Sequence, residues 1–268
     1  MTAMDKKRFL KLTRNPEFIH GIFNYCDRWC EHCGFTRRCS VYAMERDVSN
    51  EKEEGDITNE MLREQLHNAF QFTLELLRDA AHEQGIDLDA AVSGEEERIR
   101  EAERLIDCQN SLVKGAREYS AEVNRWFANH EEHFQEIARR LSNEEDLGIG
   151  RPHLAASMIV DAVESIRWYQ MQIWVKLLRA LDEEEVDIDS KDLEDGQEIS
   201  KDSDGSAKVA LIGMDRSIGA WSTLQNHFDP ADESITRILV SLIQLRSEVE
   251  LHFPDARRFV RPGFDQEV

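Results

Sequence analysis

The sequence predicts an all-α protein: a helical bundle of about five helices with a cysteine-ligated metal module at its N-terminus. Three observations predict it. Apolar residues recur at spacings of three and four through most of the chain, and no segment alternates with period two or shows a βαβ rhythm. The 268 residues are 41% hydrophobic, which is enough for a real core and too apolar for a disordered chain. Four of the five cysteines, Cys26, Cys30, Cys33 and Cys39, fall within fourteen residues.

The organisation follows in chain order. Residues 1–48 are a basic cysteine module, and SNEKEEGD (49–56) is a charged linker. A first bundle part spans 57–182. Thr58 is a candidate N-cap, and Leu62, Leu66, Ala69, Thr73, Leu76 and Ala80 form one face of a helix over about 58–84 that Gly85 ends. From Ile99 the three–four alternation runs through Ile106, Val113, Ala116, Ser120, Val123, Phe127, His130, Phe134 and Ile137 to Leu141. Leu105, Leu112, Tyr119 and Trp126 flank it every seven residues. The pattern predicts one uninterrupted helix of about 70 Å, with Gly115 its weakest point. NEEDLGIGRP (143–152) breaks the pattern, and Pro152 suits a first helical turn. Residues 153–182 are apolar on nearly every side, which predicts a central, buried helix.

Residues 183–206 hold eleven acids and two lysines and are expected to be a disordered acidic linker. Residues 207–268 complete the bundle, with helices over about 207–227 and 232–252 and an irregular, proline-containing tail.

The cysteines carry the clearest chemistry. Their spacing is Cys26-x3-Cys30-x2-Cys33-x5-Cys39. Thiolates ligate zinc and iron–sulfur clusters, and four of them complete either coordination set. Without a secretory segment this pattern points to metal rather than to disulfides, in a cytoplasmic, reducing compartment. Two disulfides are the bland alternative. The aromatics Tyr25, Trp29 and Phe35 would shield a cluster from water, which favours iron–sulfur over zinc.

The run from Cys30 through Glu31, His32, Cys33, Gly34, Phe35, Thr36, Arg37 and Arg38 to Cys39 resembles the Cys-x2-Cys-Pro/Gly-Phe/Tyr-x3-Cys segment of RecB/AddB-type nucleases. In that family the segment, with a more distant fourth cysteine, holds a 4Fe-4S staple. The resemblance covers these ten residues and implies the cluster type, with Cys26 as the fourth ligand lying only four residues upstream. The strands, paired carboxylates and lysine of a nuclease core are not evident, so nuclease activity does not follow. Cys26, Cys30 and Cys33 also match the three-cysteine loop of radical S-adenosylmethionine enzymes. Those need a βα barrel and an open iron, and this chain offers neither strands nor a missing fourth cysteine.

Other constellations are weaker. Glu64-x-x-His67 and Glu17-x-x-His20 have the spacing of a di-iron bundle, but they make no convincing inward-facing pair. His130 falls on the heptad seam, where one hydrogen bond would set register. Asp161, Glu164 and Arg167 on the most apolar helix, with Asp215 and Arg216 on the next, are expected to form a buried ion network or to line a polar pocket. Asp187, Asp189 and Asp192 do not make a calcium loop, because Lys191 takes a ligand position. Cys108, a lone helix cysteine, suits packing.

The net charge of −21 disfavours nucleic acid as a partner. Residues 1–46, with nine lysines and arginines against five acids, are the exception; they fold against the acidic bundle or meet an anionic partner. No run of apolar residues is long enough for a membrane span. The sequence therefore yields a cytoplasmic metal-binding protein with a 4Fe-4S cluster in electron transfer, redox sensing or structural stapling. Its partner is expected to be another protein. The alternatives are an interaction scaffold with a structural zinc and, more weakly, a helical-bundle metalloenzyme using His130 and the buried carboxylates.

Overall fold

A computed structural model describes residues 15–50, 78, 82, 110–190, 202–229 and 232–265, without side-chain placement at 47–50 and 183–190. It is all-α: six helices, and no strand among the described residues. They are α1 (Ser40–Asn50), α2 (Ser111–Asn129), α3 (Glu131–Asp146), α4 (Pro152–Ser190), α5 (Asp202–Gln225) and α6 (Ser234–His252). Short 3-10 turns form at Cys30–His32, Thr36–Arg38 and Ala256–Arg258. The chain divides into two units. One holds residues up to Phe23 and Cys30–Glu103; the other holds Asn24–Trp29 and everything from Arg104 onward.

The second unit is the bundle. Its largest interface joins α4 to α5; α2 packs on α4 and α6, α6 on α5, and α3 on α4. The heptad stripe does what its spacing demands. Leu112, Val113, Ala116, Tyr119, Val123, Trp126 and Phe127 of α2 are all buried. They meet Ile166, Tyr169, Ile173 and Leu177 of α4, Leu211, Met214, Trp221 and Leu224 of α5, and Ile235, Ile238 and Leu242 of α6 in one core. Truncating any one of these large side chains to alanine removes on the order of 2–5 kcal/mol. Trp221 Nε1 donates to Tyr119 Oη at 3.1 Å inside this core, and burial pushes the Tyr119 hydroxyl up to about 12.

Local chemistry sets the helix ends. Asn110 caps α2, its side chain accepting from Leu112 N at 2.9 Å. The end of α3 is a Schellman turn: Ile149 N–H reaches Glu144 O at 2.8 Å and Gly148 N–H reaches Glu145 O at 3.0 Å. Gly148 takes the φ of +65° that this turn requires. Pro152 opens α4, as its fixed φ favours.

Four expectations are corrected. The helix over 99–141 is interrupted not at Gly115 but at His130, which caps both α2 and α3. The apolar spacing continues through the break, because Phe134 still packs on the core and Ile137 is buried. α4 continues to Ser190, into the segment expected to be disordered, and α5 begins at Asp202, before 207. Ser203, Asp204, Gly205 and Ser206 are buried there, since small residues let the helix start press closely on its neighbours. Finally, α4 is not buried all round: Leu154, Met158, Val160, Met171 and Val175 are exposed on its outer face. The helix expected over 58–84 lies outside the described residues, apart from Arg78 and His82, which are helical and exposed.

Candidate metal centre

In the first unit, the cysteine segment is a sequence of tight turns. Ile19 N–H bonds Arg38 O at 2.9 Å, tying the start of the described chain to the turn that precedes Cys39. Cys30 opens one 3-10 turn, and Cys33 N–H donates to Cys30 O at 3.1 Å. Cys39 follows the second turn, and its N–H donates to Thr36 O at 3.3 Å. Two sulfurs accept backbone amides: Phe35 N–H donates to Cys33 Sγ at 3.4 Å, and Tyr42 N–H donates to Cys39 Sγ at 3.5 Å.

In the second unit, Cys26 shows the same feature, its sulfur accepting the Arg28 N–H. Arg28 itself adopts φ +58°, the one non-glycine residue in the left-handed region among those described. A side-chain-bearing residue pays roughly 1–2 kcal/mol for this conformation, so the surrounding structure must hold it there. Burial pushes the Cys26 thiol up, while the Arg28 amide and the charges of Arg28 and Lys176 pull it down.

The grip on this segment comes from α4 and α5. Lys176 Nζ donates to Asn24 O at 3.1 Å, and Arg179 Nη1 donates to the same oxygen at 3.3 Å. Trp168 Nε1 donates to Asp27 O at 3.0 Å. The Asp27 carboxylate accepts from Tyr169 Oη at 2.5 Å, from Arg216 Nη1 at 2.8 Å and from Trp29 N at 3.2 Å. Arg216 also donates to the Tyr169 hydroxyl. Burial, and then the Asp27 carboxylate beside it, raise Tyr169 far above the usual phenol range. Trp29 stacks on Trp168, ring centroids 5.3 Å apart, and meets the edge of Tyr169 at 5.8 Å. Tyr25 donates to Asp202 at the start of α5 and packs on Phe259.

Cys26, Cys30, Cys33 and Cys39 are of intermediate exposure and no disulfide joins any of them. Among the described residues, no three His, Cys, Asp or Glu side chains lie together as a group able to hold an ion. What the structure supplies is sulfur acceptors addressed by backbone amides at Cys26, Cys33 and Cys39. Backbone amides directed at sulfur are the kind of outer-shell bond that thiolate-bound metals use.

The other candidates fare differently. His130 is only 19% exposed at its side chain and makes two bonds rather than one: Nδ1 to Trp126 O at 2.7 Å and Nε2 to Asp232 Oδ2 at 3.0 Å. Asp161, Glu164 and Arg167 are exposed, so the expected buried ion network is not there; Arg167 instead lies over the Phe127 ring at 4.3 Å. They escaped burial because α4 turns that face outward. Asp215 pairs with Arg246 at 3.1 Å and Arg257 at 2.6 Å, and Arg216 pairs with Asp27. Glu17 and His20 lie exposed in turns ahead of the cysteines. Glu64, His67, Cys108 and Asp192 lie outside the described residues, as do the side chains of Asp187 and Asp189.

Sequence reasoning missed Asp27 and its partners. The available signal was polar residues on the inner face of an apolar helix: Tyr169 and Lys176 are 1% and 6% exposed, and a buried hydroxyl or amine needs a partner. No helix among the described residues is long and apolar enough to cross a membrane. No protein-family model, curated protein or solved structure matches the chain.

Proposed function

We propose that this is an iron–sulfur protein in which Cys26, Cys30, Cys33 and Cys39 ligate one 4Fe-4S cluster, working in electron transfer, redox sensing or structural stapling within a reducing compartment. The observation that carries the reading is the set of backbone amides directed at the sulfurs of Cys26, Cys33 and Cys39. Hydrogen bonds to the sulfurs are among the features that tune a cluster's potential. The four-cysteine spacing supports it, as does the position of Trp29, stacked on Trp168, immediately before Cys30 in the chain. When bound, the cluster supplies one-electron chemistry or a cross-link; the chain supplies the thiolates, the amides and the apolar shelter.

Anaerobic purification of the full chain tests this. The protein is expected to be brown, with broad visible absorbance and equal amounts of iron and acid-labile sulfide, and Cys33→Ser should lose both. Colourless protein with bound zinc would replace the cluster with a structural zinc. Protein without metal, or colour that survives Cys33→Ser, would end the reading.

A further inference from the structure

The outer face of α4 carries a pattern that is complementary to its own reverse. Ser157, Val160, Glu164, Arg167 and Met171 are exposed at spacings of three, four, three and four, and exposed Val175 follows four positions on. This is the spacing of a coiled-coil seam, on the side of α4 away from Ile159, Ile166, Ile173 and Leu177, which face the core. An acid and a base stand at the centre, with apolar residues on both flanks. When two such helices lie antiparallel about a two-fold axis level with Ser165 and Ile166, Glu164 falls opposite Arg167 of the second copy, and Arg167 opposite its Glu164. One layer out, Val160 falls opposite Met171; one turn further, Ala156 falls opposite Val175. A parallel pairing would instead set acid on acid and base on base. A second observation falls at the same place. Ala156 and Val160 border an open, mainly apolar recess of about 310 Å³ between α3 and α4, walled by Phe134, Ile137 and Leu141. In the antiparallel register that recess receives Met171 and Val175 of the second copy, which are 46% and 47% exposed in one chain alone.

We propose that the outer face of α4 is a homodimerisation surface that pairs antiparallel with the same face of a second copy. The inference does not depend on the cluster reading. An isologous pairing of this kind closes on itself and builds no filament. A contact running along about 30 Å of one helix is small for a permanent interface, so the dimer forms and separates with concentration. The net charge of −21 on each chain opposes association in general. The two Glu164–Arg167 pairs are the places where opposite signs meet across this contact, and they fix its register.

Analytical ultracentrifugation of the full chain tests this, under reducing conditions that exclude disulfide-linked species. The samples are wild type, Glu164→Arg, Arg167→Glu and an equimolar mixture of the two variants. Wild type is expected to pass from monomer to dimer between about 1 μM and 1 mM. Glu164→Arg sets base opposite base in both central layers, and Arg167→Glu sets acid opposite acid, so each alone should stay monomeric over that range. The mixture restores opposite charges in both layers, and dimers containing one chain of each variant should return. Both positions are exposed, and helical content by circular dichroism checks that the fold is kept. Arg167 also lies over the Phe127 ring, so Met171→Glu, which sends a charge toward the recess instead, gives a second route to the monomer. A wild type that remains monomeric up to about 1 mM overturns the proposal. So does a dimer that survives Glu164→Arg and Met171→Glu unchanged, since it uses another surface, and so does a mixture that stays monomeric, since the antiparallel register is then wrong.

Discussion

The most informative single residues are acids whose environments are one-sided. Asp232 sits at the entrance to α6, where bonds from Ser234, and then from His130, outweigh desolvation and hold it down to about 2. Trp126 Nε1 donates to the Ser234 hydroxyl at 2.8 Å, so a short chain of polar groups runs from the core aromatics to this carboxylate. An aspartate depressed in the folded state stabilises the fold fully above its unfolded value of 3.8 and loses that contribution as pH falls through about 2. The Asp232 side chain is about one-third exposed (33%), which screens the effect to on the order of 1 kcal/mol. Wild type is therefore expected to lose that much more unfolding free energy than Asp232→Asn between pH 4 and pH 2, as read from urea midpoints. Equal losses would mean that the Ser234 and His130 bonds do not favour the ionised form.

At the scale of elements, the join between α4 and α5 depends on a missing side chain. A Cβ on Gly213 would stand 3.0 Å from Tyr169 Cδ1 and 3.2 Å from Ile173 Cγ1, whereas one on Gly219, two turns along the same helix, would meet nothing within 4 Å. The two glycines should thus respond with opposite signs. Gly213→Leu is expected to destabilise the bundle by about 2–3 kcal/mol through overpacking, and Gly219→Ala to stabilise it by about 0.5–1 kcal/mol through helix propensity. Thermal unfolding of the two variants checks this, and a stabilised Gly213→Leu would show that the helices are not held at this separation. The sequence made the helices legible because burial and spacing are the same fact: the seven-residue flanking set of Leu112, Tyr119 and Trp126 is buried alongside the stripe it borders. It concealed the break at His130, because a turn that preserves apolar phase leaves no mark on a hydrophobic pattern. It also concealed the extension of α4, because eight charged or polar-flanked residues can continue a helix that is already nucleated.

At the scale of the whole molecule, the difference between what could and could not be read is a difference in range. Four cysteines close in sequence announce shared chemistry without any fold. Their anchoring does not: Asp27 meets Tyr169 and Arg216 across 142 and 189 positions, and nothing local in the sequence marks such pairs. The same limit explains the misplaced carboxylates. Asp161 and Glu164 looked buried because their helix is apolar, and only the arrangement of α2, α3 and α5 around α4 decides which side stays open. The strongly negative charge of the chain is likewise a global property, which acts on association and solubility rather than on the choice of fold.

The open side of α4 carries two thioethers, Met158 and Met171, 47% and 46% exposed, while Met214 of α5 is wholly enclosed. Dilute peroxide should therefore convert the first two to sulfoxides well before the third, as read peptide by peptide by mass spectrometry, because four of the seven methionines lie elsewhere in the chain. That ordering turns the molecule into its own gauge: the lag before Met214 reacts measures how seldom the bundle comes apart, and any partner that seats on α4 would silence the early steps while leaving the late one in place.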